Sequence, residues 1–576
     1  MAGQDSEAEA ESAAPASTAM SVRDFVAPLE TIGSIDAGQS FGHDDDPLSA
    51  GARLHQRTQK RLLKEDPGHQ SEVQVQGLLE RPGFSCLVRG RIDLLLAGEP
   101  PVVEEIKTGY RPAAILEAVA ADPEHPFALQ ALMYAWLRWR QDGVTPACRL
   151  RVISLLDEAE TGLELPFAPD TFSHWVEQRL ADHHQAFLKA RARSLERKDL
   201  GARLAFPFSQ PRPGQEELIA RVRDAVAAGS RLLLQAPTGL GKTAAILFPA
   251  LVHALDRDRQ VFYGTPRNSQ HEVAEDCVRR MREAGFPVRS VTIRAKERMC
   301  TQPEVNCRPE LCPRALLYYD RLKTSGALET LASLGCADSA AIALEADRHQ
   351  LCPFELSLDA ASHADVVIGD YNYAFSPNAA LHRLFGSPEA CARRVVLVDE
   401  AHNLAARAAD WFSPDLDTAW LEELRKRRAP SPKRGLRTRT NAQIKRCQAL
   451  LTELEGAHRV LELDPKPFFG EEFRIGKLLA GAAEAGQQLP PSHPLIELYR
   501  GWSGFCAVLR ILGPEHGITW IPPGRLQITC ADASAHLAQR MADVASAVLF
   551  SGTLKPFAFT RRITGLEDLA TDFAEV

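Results

Sequence analysis

A short apolar run that must break at a glycine loop and resume as a helix constrains this chain more than any other feature. Residues 232–235, apolar at all but the last position, are the run, Ala236-Pro237-Thr238-Gly239-Leu240-Gly241-Lys242-Thr243 is the loop, and apolar residues return at helical spacing over 243–255. Gly239 and Gly241 supply the backbone freedom such a loop needs. A second all-apolar run, 395–398, stops at an acidic pair in Asp399-Glu400-Ala401-His402. A strand that is apolar at every position must be covered on both faces, and strand–loop–helix repetition supplies that cover. The pattern therefore predicts an α/β fold, a parallel sheet wrapped by helices.

The 576 residues are enough for about three domains. No apolar run is long enough to span a bilayer. Residues 1–19 are rich in Ala, Ser and Glu and lack an apolar signal core. The reading is a disordered tail over 1–48 and a cytoplasmic protein with no membrane partner. Twelve cysteines without an export signal argue for thiols or a metal site, not disulfides. The net charge of -8 excludes a chain that is basic throughout, although a local groove can still be positive. A first folded unit is expected over 49–200, with strands at 84–96 and 102–106, a helix at 127–140 and a Lys/Arg-rich helical connector at 189–198. The second unit, 201–576, is interrupted at 295–355, where cysteines concentrate, and at 405–540, where Leu, Ala, Glu and Arg recur at helical spacing.

The glycine loop has the chemistry of a nucleoside triphosphate site. Backbone N–H groups and the start of a helix attract phosphate oxygens. Lys242 is placed to reach the β- and γ-phosphates, and Thr243 to ligate Mg²⁺. Asp399, at a strand end, can hold Mg²⁺ through water, and Glu400 can orient the attacking water. The bland alternative for the pair is acidic residues favoured at a helix N-terminus.

Asp399 to His402 resembles the DEAH box of superfamily-two helicases. Phe206-Pro207 and the stretch from Arg212 to Gln215 resemble the helicase segment whose glutamine reads adenine, which implies that role for Gln215. Tyr263-Gly264-Thr265-Pro266-Arg267 resembles the motif that touches a single-strand backbone, through Thr265 and Arg267. Ser551-Gly552-Thr553-Leu554 resembles the motif linking hydrolysis to strand movement, through Ser551 and Thr553. Together, over 206–560, the chain is similar to iron–sulfur helicases of the XPD/DinG type. The resemblance implies a RecA-like P-loop sheet with iron–sulfur and helical arch insertions, ATP with Mg²⁺, and movement on single-stranded or branched DNA. Gly369-Asp370-Tyr371-Asn372-Tyr373 also resembles a segment of these helicases; its tyrosines either stack on bases or pack in a core.

Cys300, Cys307, Cys312 and Cys352 are separated by six, four and thirty-nine residues. Four thiolates suit either a [4Fe–4S] cluster or zinc, and spacing alone does not choose. The resemblance implies [4Fe–4S]. Cys336, inside the long spacer, is the rival ligand. Arg294, Lys296 and Arg298 precede the cluster and can grip phosphate.

In the first unit, Gly90-Arg91-Ile92-Asp93 followed by Glu105-Ile106-Lys107 has the form of a PD-(D/E)XK nuclease core. Asp93 and Glu105 would hold Mg²⁺ or Mn²⁺, with Lys107 beside the water or the phosphorane charge. Strand alternation puts Glu105 and Lys107 on one face. Gln130 to Tyr134 matches the Gln-x-x-x-Tyr helix of RecB-type nucleases, and His55 falls where that group often carries a metal-binding histidine. Glu104 is the alternative to Glu105.

After Thr553 only 23 residues follow, and no second RecA-like domain with its arginine finger is recognised. Loss of a finger costs about 10³–10⁵ in rate, so the expectation is ATP binding with poor hydrolysis unless a partner supplies that domain. Ten Lys/Arg over 425–446 form either a DNA contact or a solvated loop. The function expected is an ATP-dependent DNA helicase joined to a metal-dependent nuclease. The alternative is a non-motor module that binds ATP and DNA and uses a degenerate nuclease fold for docking.

Overall fold

Alternation along the strands of the second unit sorts its apolar residues onto two opposite faces. Leu233, Phe262, Val291, Val367, Val396 and Leu549 enter one core, and Leu232, Tyr263, Val366, Leu397 and Val548 enter another. This computed structural model describes residues 16–35, 47–109, 112–154, 158–237 and 239–576, apart from 304, 306, 308, 310, 311, 378, 428–433, 455–461, 486 and 488. The chain forms two compact units: Met1–Thr31 with Asp45–Ala192, and Ile32–Asp44 with Arg193–Val576.

The first unit is built on a six-stranded mixed sheet of β1 (Ala16–Ser21), β2 (Gln70–Arg81), β3 (Phe84–Leu96), β4 (Val102–Gly109), β5 (Ala147–Ser154) and β6 (Glu160–Leu165). The order is β1-β3-β4-β5-β6, with β2 paired antiparallel to β3. Strands β4 and β5 run parallel, and helix Pro126–Asp142 packs against this sheet through Leu129, Met133, Trp136 and Leu137. The tail expected over 1–48 needs correction. Residues 16–21 pair parallel with 84–89, and the following helix, Val22–Val26, buries Val22, Phe25 and Val26. Residues 1–15 and 36–46 lie outside the described residues. The unit ends at Ala192 and not at 200, within helix Pro169–Arg203.

The second unit contains β7 (Arg231–Gln235), β8 (Gln260–Gly264), β9 (Ser290–Thr292), β10 (Cys336–Ala337), β11 (Val366–Gly369), β12 (Arg394–Asp399), β13 (Asp415–Asp417), β14 (His516–Ile521), β15 (Arg525–Cys530), β16 (Ser546–Ser551) and β17 (Thr571–Glu575). Eight of them form a parallel sheet in the order β10-β9-β11-β8-β12-β16-β7-β17. Every residue of β8, β11, β12 and β16 is buried, as a sheet covered on both faces requires. The expected helical character of 405–540 holds for Thr418–Lys426, Arg434–Thr452, Lys466–Glu484 and Pro494–Arg510. The segment also makes a three-stranded antiparallel sheet, β13-β15-β14, which the sequence reading lacked. Its signal is the period-two burial of Ile518 and Trp520 against Leu526 and Ile528.

Candidate active sites

Four neighbouring parallel strands, β8, β12, β16 and β7, bring their C-terminal ends to one edge of the sheet, where open α/β sheets bind ligands. They deliver Thr265, Asp399, Ser551 and the glycine loop respectively. Gly239 and Gly241 have φ of +87° and +77°, a region that glycine enters without strain. A Cβ on Gly241 would also collide with the Gln215 side chain. Lys242 opens helix Lys242–Asp256, and its ammonium donates to the carbonyls of Ala236 (3.0 Å) and Pro237 (3.4 Å), contacts that a bound phosphate would replace. Thr238 lies outside the described residues.

Gln215 is 3% exposed. Its amide donates to the carbonyls of Leu240 (2.8 Å) and Gly241 (3.1 Å), and its oxygen accepts from the Arg212 N–H (2.8 Å). It borders a cavity of about 270 Å³ lined by Phe208, Arg212, Thr243 and Val273, which suits a planar base beside the loop.

Asp399 is 6% exposed, and burial holds its carboxyl above the usual range despite the hydroxyl of Tyr263, which donates to it at 2.8 Å. That hydroxyl is also 3.4 Å from Thr243 Oγ1. Tyr263 thus joins the two residues expected to hold Mg²⁺, a role that reading it as part of a strand-contacting motif did not reveal. Glu400 sits at φ +50° and accepts from Gln270 (3.2 Å) and from Ser551 Oγ (3.1 Å). The same Ser551 hydroxyl is 2.7 Å from His402 Nδ1, and Thr265 Oγ1 donates to Gln270. Thr265, Gln270, Glu400, Ser551 and His402 therefore form one continuous network. Gln270 was missed because it lies beyond the motif, one helical turn into Asn268–Glu283. Arg267 is exposed, and the Thr553 N–H is 3.5 Å from Ser551 Oγ.

Tyr371 and Tyr373 are 0% and 7% exposed, so the core alternative describes them, not base stacking. Lys296 is also buried, 3.8 Å from Glu355 and 5.0 Å above the Phe354 ring, so its charge is spent inside the fold and not offered to phosphate. In the basic stretch, Arg425, Arg427 and Arg446 pair with Glu422, Glu497 and Glu471.

Cys307 lies within electrostatic reach of Cys312 and Cys352, and the Cys300 N–H donates to the Lys296 carbonyl at 2.8 Å beside them. Burial pushes the Cys352 thiol up to about 12 and raises Cys307, so these groups hold negative charge only against a compensating cation. Four thiolates are chemically suited to a bound metal group, although no three of these sulfurs lie within 4.8 Å of one another among the described residues. Cys336 stands elsewhere, in β10, with Ser290, Arg282 and Glu275 as polar neighbours.

In the first unit the expected residues converge. Asp93, on β3, accepts from the Ile106 N–H (2.7 Å) and lies 3.5 Å from His55 Nε2. Lys107 Nζ donates to Glu105 (2.7 Å) and Gln130 (2.9 Å), and Gln130 donates to the Tyr134 hydroxyl (3.3 Å). Gly90 is required beneath that ring, since a Cβ there would stand 2.5 Å from Tyr134. Burial, then the neighbouring Asp93, pushes the Glu105 carboxyl up to about 8. Glu105 Oε2 is buried without a hydrogen-bond partner among the described residues. A buried and a half-buried carboxyl facing each other, with one oxygen of the buried one orphaned, fit a divalent cation. Glu104 points to the opposite face, where Arg149 and Arg151 bind it.

No helix among the described residues is long and apolar enough to cross a membrane. The DEAD/DEAH box helicase family profile matches residues 212–309, and the DEAD_2 profile matches 265–421. Regulator of telomere elongation helicase 1 of Bos taurus is 24% identical over 268 residues, covering 38% of this chain and 21% of that protein. Its homolog in Culex quinquefasciatus is 22% identical over 268 residues, covering 35% and 27%. The chain thus spans about a fifth to a quarter of the length of these curated relatives. Among solved structures, an XPD helicase has 18% identity and a TM-score of 0.42, covering 64% of this chain and 63% of that one. A truncated XPD has 17% identity and a TM-score of 0.41, covering 63% of this chain and all of that one. Residues 212–309 of this chain are thus similar in sequence to DEAD/DEAH box helicases, and residues 265–421 to the DEAD_2 family.

Proposed function

We propose that the second unit is the ATP-binding half of a DNA motor of the XPD/DinG type, and that the first unit is a metal-dependent nuclease of the RecB-like PD-(D/E)XK class. The observation that carries the motor reading is the Tyr263 hydroxyl between Thr243 and Asp399. It holds the two expected Mg²⁺-binding residues in one place, at the mouth of a loop whose lysine sits on replaceable carbonyl contacts. On this reading Lys242 takes the β- and γ-phosphates, Gln215 and the adjoining cavity take adenine, and Glu400 orients the attacking water. Ser551 and His402 sense the state of Glu400 through the hydrogen bonds they share with it. A [4Fe–4S] group held by Cys300, Cys307, Cys312 and Cys352 would act as a structural brace. A second RecA-like lobe, in the same polypeptide or from a partner, would complete the nucleotide cleft and supply the arginine finger.

The nuclease reading is supported by the convergence of His55, Asp93, Glu105, Lys107 and Gln130. Bound Mg²⁺ or Mn²⁺ would activate a water and polarise the phosphate. Lys107, held between Glu105 and Gln130, would meet the charge that develops on the phosphorane, while Tyr134 steadies Gln130. Asp93→Ala or Lys107→Ala should abolish Mn²⁺-dependent cutting of DNA; cutting that survives both would remove this assignment and favour a docking fold.

ATP hydrolysis by the whole chain, with and without single-stranded DNA and with Lys242→Ala as blank, tests the motor. DNA-stimulated hydrolysis would establish a working motor without an added lobe. ATP binding without hydrolysis would establish a motor half awaiting its second lobe. ATP binding equal in wild type and Lys242→Ala would overturn the proposal.

A further inference from the structure

Away from both sites, where β14 meets helix Ser534–Asp543, three side chains present ligand atoms within 4.8 Å of one another: Glu515, His516 and His536. Glu515 Oε1 is 3.1 Å from His516 Nδ1 and 3.4 Å from His536 Nε2. Donors at about 2.0–2.1 Å around a tetrahedral zinc are about 3.3 Å apart, so these separations match the edges of such a tetrahedron. His516 Nε2 is buried without a hydrogen-bond partner among the described residues, and His536 Nε2, also buried, has the 3.4 Å contact with Glu515 as its polar neighbour. The His516 side chain is 1% exposed, whereas Glu515 and His536 retain 17% and 18%, which leaves an entry path.

The frame around these groups is built. The Phe412 ring stacks on His536 at 4.0 Å, and the Ala531 N–H donates to the Glu515 carbonyl at 2.9 Å. The Gly513 N–H donates to His516 Nδ1 at 3.2 Å, a hydrogen bond that a metal on that nitrogen would displace. His516 Nδ1 and His536 Nε2 both face the same carboxylate oxygen, Glu515 Oε1, and a cation placed among the three would gather them.

We propose that Glu515, His516 and His536 form a zinc-class transition-metal site, with two imidazoles and one carboxylate as ligands and a fourth position open to water. The metal fastens the β14–β15 hairpin to helix Ser534–Asp543. That helix is itself clamped to the start of the loop-bearing strand, because the buried Arg231 donates to the carbonyls of Met541 and Val544, the latter at 2.9 Å. The metal therefore braces the helix that leads directly into β16 and Ser551.

The test is titration of the metal-free full chain with Co²⁺, read by the visible absorption of tetrahedral Co²⁺ and by competition with Zn²⁺. The expected result, with Cys352→Ser removing the cysteine site, is a band that saturates at a single equivalent and is displaced by Zn²⁺. It should weaken roughly a hundredfold in affinity in His536→Gln and in Glu515→Gln, and persist in Cys352→Ser. A band lost in Cys352→Ser but kept in His536→Gln would place the metal at the cysteines and overturn the proposal, as would the absence of any band. Thermal melting covers variants that misfold. A higher midpoint with Zn²⁺ than with EDTA in Cys352→Ser/Asp93→Ala, lost when His536→Gln is added, supports the site, and no difference refutes it.

Discussion

Tyr263 holds a carboxylate that, on the proposed reading, takes a cation in surroundings that work against its charge. Burial raises Asp399, and the phenol, itself raised far above its ordinary value by burial, remains a donor at any physiological pH. A hydrogen bond to a charged group contributes about 1.5–3 kcal/mol. Tyr263→Phe should therefore destabilise the second unit by about 2 kcal/mol in urea melts and weaken Mg²⁺-dependent nucleotide binding, without disturbing the glycine loop. His271 makes the complementary case. It is 3% exposed, and burial, aided by the Arg294 guanidinium and opposed by Asp370, lowers it to about 4. The unfolded histidine, at 6.5, binds its proton first. The stability that His271 contributes is thus present above pH 6.5 and lost as pH falls toward 4. The urea midpoint of the second unit should drop across that window, and His271→Gln should flatten the drop.

At the scale of elements, the sheet works by ending four strands together. Ser551 at the tip of β16 touches Glu400 and His402 at the tip of β12. Ser551→Ala removes one shared hydroxyl, worth about 1.4 kcal/mol, or tenfold in rate. The expected outcome is unchanged ATP affinity with DNA-stimulated hydrolysis about tenfold lower, measured by steady-state turnover. Much of this arrangement was legible in the sequence because fully buried strands are continuous apolar runs. The limits expected for 84–96 coincide with β3, and the run at 395–398 lies inside β12. Residues 16–21 were not legible, because Ala, Ser, Thr and Met carry no alternation and β1 exists only through pairing with β3. Nor were Gln270, His516 and His536. Each acts through a partner remote in sequence, and one chain without that partner gives a lone polar residue no meaning. The Glu-x-Lys spacing favoured Glu105, and strand alternation puts it on the face opposite Glu104.

At the scale of the whole molecule, the two units do not follow one another along the chain. Residues 32–35 belong to the second unit although the first resumes after them. The Ile35 N–H donates to the Ala315 carbonyl (2.9 Å), the Tyr319 N–H to the Gly33 carbonyl (3.0 Å), and the Gly33 N–H to Asp320 (3.1 Å). Ile35 is 1% exposed in the same core as Tyr318 and Phe354. Ile35→Ala should therefore cost the second unit about 2–4 kcal/mol while leaving the unfolding of the first unchanged, as two resolved transitions in calorimetry would report.

That early strand of chain sits three residues past Cys312, so the cysteine segment is buttressed by sequence made long before it. A nascent polypeptide must keep residues 32–35 unpaired through the synthesis of the entire first unit, until residues 315–320 emerge to receive them. Splitting the gene between residues 192 and 193 would give a second unit with a gap in its core at the cysteine segment. The natural seam of this protein is therefore not a single point, and any exchange of its first unit between genes has to carry those four residues across intact.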